Sequence, residues 1–306
     1  MFMGFPLVPG DTAVQCFFVV SGFYMSMILN GKYAASSYWL FISNRLMRLY
    51  PVYLAVLVAT LLLTTRVWPN LDPLGWIYFA FSQVAIFAQD VEMFLFVTAK
   101  GALVFTSNFN VTRNNLYEYA PLPQAWSLGI ELWFYLLAPF ILKRSVRFVV
   151  ALAIASILLR MALQFAFGWS GDPWSYRFFP SELALFLLGA IAHRADRRVL
   201  LAMALVIAAV LFVNRPGGIG RAASVSFVAM SAIAIPWLFA VTKDWSWDKF
   251  LGELSYPIYV VHLLVGALIA NPAVALAVTI AASIALYLFV DRPVDRWRQS
   301  RVVEAR

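Results

Sequence analysis

One carboxylate stands in the middle of an apolar run, QAWSLGIELWFYLLAPF, at residues 124–140. A charge at the centre of a bilayer costs about 2.5–3.5 kcal/mol on insertion scales, so such residues usually face a bundle interior or a wet cavity. Glu131 and Tyr135 are four residues apart and share a helix face, with Trp126 and Ser127 nearby. The pattern fits a general base or acid, and it fits equally a structural hydrogen bond to a neighbouring helix.

Two arginines precede an apolar run in the stretch SNRLMRLYPVYL. Arg45 and Arg48 are three residues apart, so on a helix they point to the same side. Paired guanidinium groups suit an anion such as a nucleotide diphosphate. The alternative is an anchor of positive charge at the cytoplasmic surface, which the spacing alone favours.

A third polar group lies in the stretch GELSYPIYVVHLLV, where Tyr256, Tyr259 and His262 recur every three residues. A histidine flanked by tyrosines inside a membrane can bind a polar ligand, relay a proton or only bridge helices. The second of the two histidines, His193, lies in the basic segment AHRADRR. We predict that His193 is a solvated loop residue.

Small and charged residues interrupt two further apolar runs. Ser21 and Gly22, in QCFFVVSGFYMS, favour close packing of helices. Arg177 and Glu182, in WSYRFFPSELALFLLGA, flank the start of a span on the side opposite the RADRR segment. They suit contacts with a polar acceptor, or equally an interface ion pair of little energetic value.

Composition defines the elements that must position these residues. The chain has 306 residues, of which 63% are hydrophobic and 12% charged, whereas a soluble domain has about 45–50% apolar and about 25% charged residues. This predicts an integral membrane protein, and it makes the net charge of +8 a matter of topology instead of nucleic-acid binding. The sequence contains no GxSxG, HExxH, P-loop or dinucleotide motif. One cysteine and two histidines argue against a metal centre.

Since about twenty apolar residues span a bilayer, we predict an all-α, polytopic helical bundle of about ten or eleven transmembrane helices. It forms a single domain over residues 1–306. The predicted spans lie near 13–30, 50–65, 74–89, 123–142, 147–167, 179–193, 199–213, 222–241, 255–270 and 273–290. Segment 93–108 can span, re-enter or lie at the interface. The polar loop 106–122 is a candidate lid or substrate loop, or equally an ordinary connection.

Four basic clusters mark the predicted cytoplasmic side. They are Lys32/Arg45/Arg48, Lys143/Arg144/Arg147, Arg194/Arg197/Arg198 and Arg292/Arg296/Arg298/Arg301. With the spans above, all four share one side only if segment 93–108 also crosses the membrane.

Taken together, these residues resemble the acyltransferase 3 family of integral membrane O-acyltransferases. FFVVSGF is similar to the family's FFxxSGF, RLMRLYP to RxxRxxP, WSLGIELWFY to WSLxxExxFY, and LSYPIYVVH to SYxxYxxH. The terminal YLFVDRPVDR resembles the family's closing acidic-x-Pro stretch, with Asp291 as the acid. The four motifs occur in the family's order and cover essentially the whole chain.

The resemblance implies transfer of an acyl group, usually acetyl, from cytoplasmic acyl-CoA to a sugar hydroxyl on a surface or exported glycan. It implies a multi-pass protein of the bacterial inner membrane that uses no metal and no nucleic acid. Arg45 and Arg48 would contact the CoA phosphates. The membrane cavity would be lined by Glu131, Tyr256, Tyr259 and His262.

The resemblance also implies two features that the printed sequence lacks. Family members open with a helix that carries an arginine and a histidine taken as the catalytic base. They often have an acid just before FFxxSGF, where this chain has Gln15. We therefore expect either a longer native chain or a member in which His262 replaces the base. Two rival hypotheses are a transporter or flippase for a polar lipid or sugar, and an inactive acyl-CoA-binding member.

Overall fold

A computed structural model of the chain describes residues 9–213 and 218–304, so residues 1–8, 214–217 and 305–306 of the predicted domain lie outside the described part. The helices, numbered in chain order, are α1 (Gly10–Asn30), α2 (Tyr38–Leu63), α3 (Pro73–Ala85), α4 (Trp126–Ile141), α5 (Val146–Phe167), α6 (Phe179–Arg194), α7 (Arg197–Val213), α8 (Gly218–Thr242), α9 (Ser246–Leu268), α10 (Pro272–Leu286) and α11 (Arg292–Glu304). A π-helical turn, Tyr287–Asp291, joins α10 to α11. Strands β1 (Leu95–Val97) and β2 (Leu103–Phe105) form a small antiparallel hairpin.

The predicted all-α membrane bundle is confirmed. Six segments of the described residues are long and apolar enough to cross a membrane, and they are Gly10–Asn30, Tyr38–Leu63, Val146–Phe167, Arg221–Thr242, Ser246–Leu268 and Pro272–Arg301. Helices α4 and α6 are shorter, at 16 residues each, and most of their side chains are buried. The chain is therefore an integral, multi-pass membrane protein in which α4 and α6 lie inside the bundle.

The segment between α2 and α4 begins and ends on one side of the bundle. Arg66, just after α2, donates hydrogen bonds to the carbonyls of Ala120 and Pro121, just before α4, at 3.1 and 2.8 Å. The end of α2 therefore lies beside the start of α4. An even number of crossings must separate these two helix ends.

Helix α3 lies within this segment and has only 13 residues, a length of about 20 Å at 1.5 Å per residue. Its last turn reaches the middle of α2, where Tyr53 donates to the carbonyl of Gln83 at 2.5 Å. Its start is tied to the turn of the hairpin by a 2.9 Å hydrogen bond from Asp72 N to Gly101 O. Segment 93–108 leads the chain back to the side from which α3 starts. Of the three interpretations given above, re-entry is therefore the one that fits.

The basic clusters lie together on the other side of the bundle. Asn30 Nδ2 and Arg194 Nη1 both donate to the carbonyl of Leu142, at 3.2 and 2.7 Å. Lys32 donates to Gln299, which places α11 at the same side. The four clusters share a side although segment 93–108 does not cross the membrane, because α3, predicted as a span near 74–89, does not cross it either. The prediction that they share a side only if 93–108 crosses is therefore wrong.

Helices α1 and α6 cross with their backbones in contact. A Cβ built on Gly22 would lie 1.8 Å from the carbonyl oxygen of Phe186, and one built on Gly189 would lie 1.9 Å from that of Val19. Neither position has room for a side chain. This confirms the packing interpretation for Gly22, and it fixes the middle of α1 against α6.

Loop 106–122 binds its own backbone and its neighbours. Asn115 Nδ2 donates to the carbonyl of Phe109 at 3.1 Å and to Glu118 Oε1 at 2.9 Å. Trp174 Nε1 donates to the carbonyl of Ser107 at 2.8 Å. These contacts favour an ordinary, fixed connection over a lid.

The arm that follows α3 carries two buried carboxyls. Glu92 is 1% exposed, and its Oε1 accepts hydrogen bonds from Ser82 at 2.5 Å and from Gln83 at 2.6 Å. Asp90 accepts a hydrogen bond from Trp133 Nε1 at 3.3 Å. Loss of water around them raises the pKa of Asp90 to about 7 and that of Glu92 to about 8.

These two carboxyls should make the folded protein less stable as pH rises. The native state keeps their protons up to about pH 7 to 8, whereas the unfolded chain releases them near about pH 4. Because the native state binds more protons across this window, the free energy of unfolding falls with increasing pH. We expect the melting temperature in detergent to fall from about pH 5 to about pH 8, and the Glu92→Gln variant to show a shallower slope. Equal slopes in the two proteins would contradict this origin.

Candidate active site

A cavity of about 540 Å³ opens among α1, α2, α4, α8 and α9, toward the basic side of the bundle. Ser21, in the middle of α1, and Glu131, on α4, both line it. Arg45 and Arg48 line its wall, together with Tyr135. The cavity therefore joins cationic side chains to a buried carboxylate.

Glu131 is 3% exposed and is held by two hydroxyl groups. Its Oε1 accepts hydrogen bonds from Ser21 Oγ at 2.7 Å and from Tyr135 OH at 2.6 Å. The predicted shared face of Glu131 and Tyr135 is confirmed, and this carboxylate faces the cavity instead of lipid. Ser21, which the sequence assigned to helix packing, is buried and also donates its hydroxyl to Glu131.

Arg45 and Arg48 both face this cavity, as their spacing predicts. Arg45 is 8% exposed, with its guanidinium carbon 5.9 Å from the centre of the Phe41 ring. Its Nε has no hydrogen-bond partner within the described part of the chain. Arg48 Nη1 lies 3.6 Å from Glu253 Oε2. Such burial exceeds what a surface anchor requires, so the pair can meet an anion that enters the cavity.

A second polar group lies near the opposite side, where α4 begins. Tyr259 OH donates to the carbonyl of Gln124 at 2.6 Å and lies 2.6 Å from Ser127 Oγ. His262 Nδ1 lies 2.7 Å from the carbonyl oxygen of Tyr259. Tyr256 OH donates to the carbonyl of Leu49 at 2.6 Å, between the two groups. The structure thus places His262 with this outer group, whereas Glu131 belongs to the cavity.

Arg177 and Trp126 extend the outer group. The guanidinium carbon of Arg177 lies 4.4 Å from the centre of the Trp126 ring, and its Nε donates to both oxygens of Asp172 at 3.0 Å. Ser127 and Glu131 are four residues apart, as are Glu131 and Tyr135. One face of α4 therefore carries polar side chains from the outer group to the cavity.

Glu182 is separated from Arg177 and pairs with a different arginine. Arg160 Nη2 lies 2.6 Å from Glu182 Oε1, and both side chains are buried. Arg160 also donates to the carbonyls of Ser175 and Ser181, at 3.0 and 2.9 Å. Through this ion pair and these hydrogen bonds, α5 is held to the first turn of α6 and to the preceding loop, which carries Arg177.

Replacing Glu182 by glutamine should destabilise the protein, because it leaves the Arg160 charge buried without a counter-ion. Breaking a buried pair costs about 3–5 kcal/mol. The measurement is thermal unfolding in detergent, with the double variant Arg160→Met/Glu182→Leu as control. We expect the double variant to recover much of the lost stability. If Glu182→Gln is as stable as the wild type, the Arg160–Glu182 ion pair does not stabilise the fold.

Two further positions differ from expectation. His193 belongs to α6, with its Nδ1 3.1 Å from Ser26 Oγ and its ring edge-on to Phe23, so the prediction of a solvated loop residue is wrong. Charged residues at the α8–α9 junction were not identified from the sequence, although Lys243, Lys249 and Glu253 line the cavity. The charged stretch TKDWSWDK was the signal for them.

The fold and this cavity define a multi-pass membrane protein with a polar chamber inside a helical bundle. Among the residues described, no group of three or more His, Cys, Asp or Glu side chains is placed to hold a metal ion. The family model described as Acyltransferase domain, that of the acyltransferase 3 family, matches residues 2–290. The chain belongs to this family and is an acyltransferase. Comparisons with curated proteins and with solved structures gave no significant match.

Proposed function

We propose that this acyltransferase moves an acyl group, in the simplest case acetyl, from acyl-CoA to a sugar hydroxyl of a surface or exported glycan, at the bacterial cytoplasmic membrane. The observation that carries the proposal is the 540 Å³ cavity that joins Arg45 and Arg48 to the buried Glu131. Family membership supports acyl transfer in general. The chemistry of the side chains supports the choice of donor and acceptor.

The donor enters from the basic side, which the positive-inside rule makes cytoplasmic. CoA carries a diphosphate, and paired guanidinium groups suit phosphate oxygens. Arg45 and Arg48 bind these phosphates, and Lys243 and Lys249 add positive charge to the same cavity. The thioester then extends toward Glu131.

The acceptor approaches from the opposite side, through the outer group. Trp126 is buried and holds Arg177 over its ring, and the guanidinium group of Arg177 can donate hydrogen bonds to sugar hydroxyls. Ser127, Tyr256 and Tyr259 supply hydroxyl groups along the path. Glu182 stabilises this region through its ion pair with Arg160.

Glu131 acts as the general base that accepts the proton of the attacking hydroxyl. Arg45 and Arg48 line the same cavity as Glu131, so a donor held by its phosphates is brought to this base. His262, which the sequence suggested as a second catalytic residue, lies beside Tyr259. We propose that it contacts the acceptor and orients it for attack, while Glu131 takes the proton.

The test uses the full chain in proteoliposomes with labelled acetyl-CoA outside or inside, and the glycan fraction of the host envelope as acceptor. We expect label to appear as base-labile ester on glycan. Uptake of sugar or lipid without any need for acyl-CoA would instead support a transporter. CoA binding with no transfer would support an inactive binding protein.

A further inference from the structure

We propose that Ser21 is the first acceptor of the acyl group, so that transfer proceeds through an acyl-serine on α1. The inference rests on the proposed function, since it requires an acyl thioester in the cavity. It adds a covalent step and a nucleophile. Neither follows from the presence of a base alone.

The geometry is that of an activated nucleophile. Ser21 Oγ lies 2.7 Å from Glu131 Oε1, within reach for proton transfer. Tyr135 OH donates to the same oxygen at 2.6 Å and so fixes the orientation of the carboxylate. A nucleophile, a base and a third group that positions the base form the arrangement expected for nucleophilic catalysis.

The fold holds Ser21 at this place. Gly22, the next residue, has its backbone against that of Phe186, which packs α1 closely on α6 at this level. Nucleophiles must be held to within about 0.5 Å of the productive geometry, and this contact supplies such rigidity. Ser21 also lines the cavity that contains Arg45 and Arg48, so a donor bound by these arginines shares one chamber with the serine.

The two sets of polar residues lie at different depths, and this separation favours a relay. The cations lie at the basic end, whereas Ser127 and Tyr259 lie where α4 begins. Glu131 lies between them on the same face of α4. An acyl-serine at the level of Glu131 lets the donor leave before the acceptor hydroxyl arrives.

Each half-reaction balances. In the first, the Ser21 hydroxyl proton passes to Glu131, Oγ bonds to the acyl carbon, and the carbon–sulfur bond breaks. The thiolate takes the proton from Glu131 and leaves as the free thiol of CoA. In the second, the acceptor hydroxyl gives its proton to Glu131 and bonds to the acyl carbon, and Ser21 Oγ leaves and regains that proton.

The decisive experiment needs no glycan. A covalent acyl-enzyme catalyses exchange of label between acetyl-CoA and free CoA without acceptor, whereas direct transfer does not. We expect exchange with the full wild-type chain, none with Ser21→Ala, and normal exchange with Ser26→Ala. Ser26 is a matched control, since it is buried on the same helix and binds His193. Peptide mass spectrometry after acetyl-CoA treatment should find the acetyl group on Ser21.

Separate measurements distinguish failure of this inference from failure of the proposed function. CoA affinity and elution in size-exclusion chromatography show whether Ser21→Ala is folded and binds donor. Wild-type protein that binds CoA and transfers label to glycan, but shows no exchange, overturns the acyl-serine. Ser21→Ala that retains wild-type transfer also overturns it. If wild-type protein does not bind CoA, the proposed donor is wrong. As a second variant, Ser21→Cys should form a thioester that hydroxylamine removes.

Discussion

Replacing Glu131 by glutamine is expected to abolish acyl transfer while the protein is still inserted and folded. The amide keeps the size of the side chain and can still accept hydrogen bonds from Ser21 and Tyr135, but it cannot take a proton. Loss of a general base lowers rates by about 10²- to 10⁴-fold. The measurement is the initial rate of label transfer from acetyl-CoA, normalised to folded protein.

The chain offers a matched control for this variant. Asp248 is another carboxylate that lines the same cavity, so Asp248→Asn removes an equal charge at a different place. We expect that variant to retain most of its rate. Tyr135→Phe should have an intermediate rate, because it removes the hydrogen bond that orients Glu131 without removing the base. Unchanged transfer by Glu131→Gln would exclude the base role.

Replacing Arg45 by glutamine is expected to weaken donor binding by about 10- to 100-fold. Hydrogen bonds to charged groups contribute about 1.5–3 kcal/mol, and about 1.4 kcal/mol corresponds to a tenfold change in affinity. Arg48→Gln should have a smaller effect, since Arg48 is already paired with Glu253 and is 28% exposed. The measurement is the Kd of CoA by titration, together with KM for acetyl-CoA.

Arg147→Gln is the control, because it removes a positive charge on the same side from an exposed position outside the cavity. We expect its Kd to equal that of the wild type at physiological salt. A fall in kcat at constant Kd for Arg45→Gln would disagree with a donor-binding role. It would instead place Arg45 at the transition state.

The sequence predicted the local relations within the site but not its long-range ones. Glu131 and Tyr135 lie on one helix, so a spacing of four residues was enough to place them on one face. Ser21 lies 110 residues away from Glu131, and nothing in its neighbourhood indicates the carboxylate on another helix. The same limit applies to Glu182, whose partner Arg160 lies 22 residues earlier on α5.

The topology shows a different limit. Hydropathy shows how long an apolar run is, and α3 lies in such a run. A run of this length can either cross the membrane or turn back within it. Contacts between distant parts of the chain decide the matter, such as that of Arg66 with Ala120 and Pro121. All-helical architecture was predictable because it follows from composition alone.

The contact between α1 and α6 divides the molecule into a stationary and a movable part. Because these two helices touch backbone to backbone, we expect Ser21 to keep its position against α6. We therefore expect the movement that widens the cavity for a large nucleotide to come from α9 and the end of α8, which form its other wall. On this view the Arg48–Glu253 ion pair must open when CoA enters. A cross-link between α2 and α9 at this place would therefore exclude CoA from the cavity without changing Ser21.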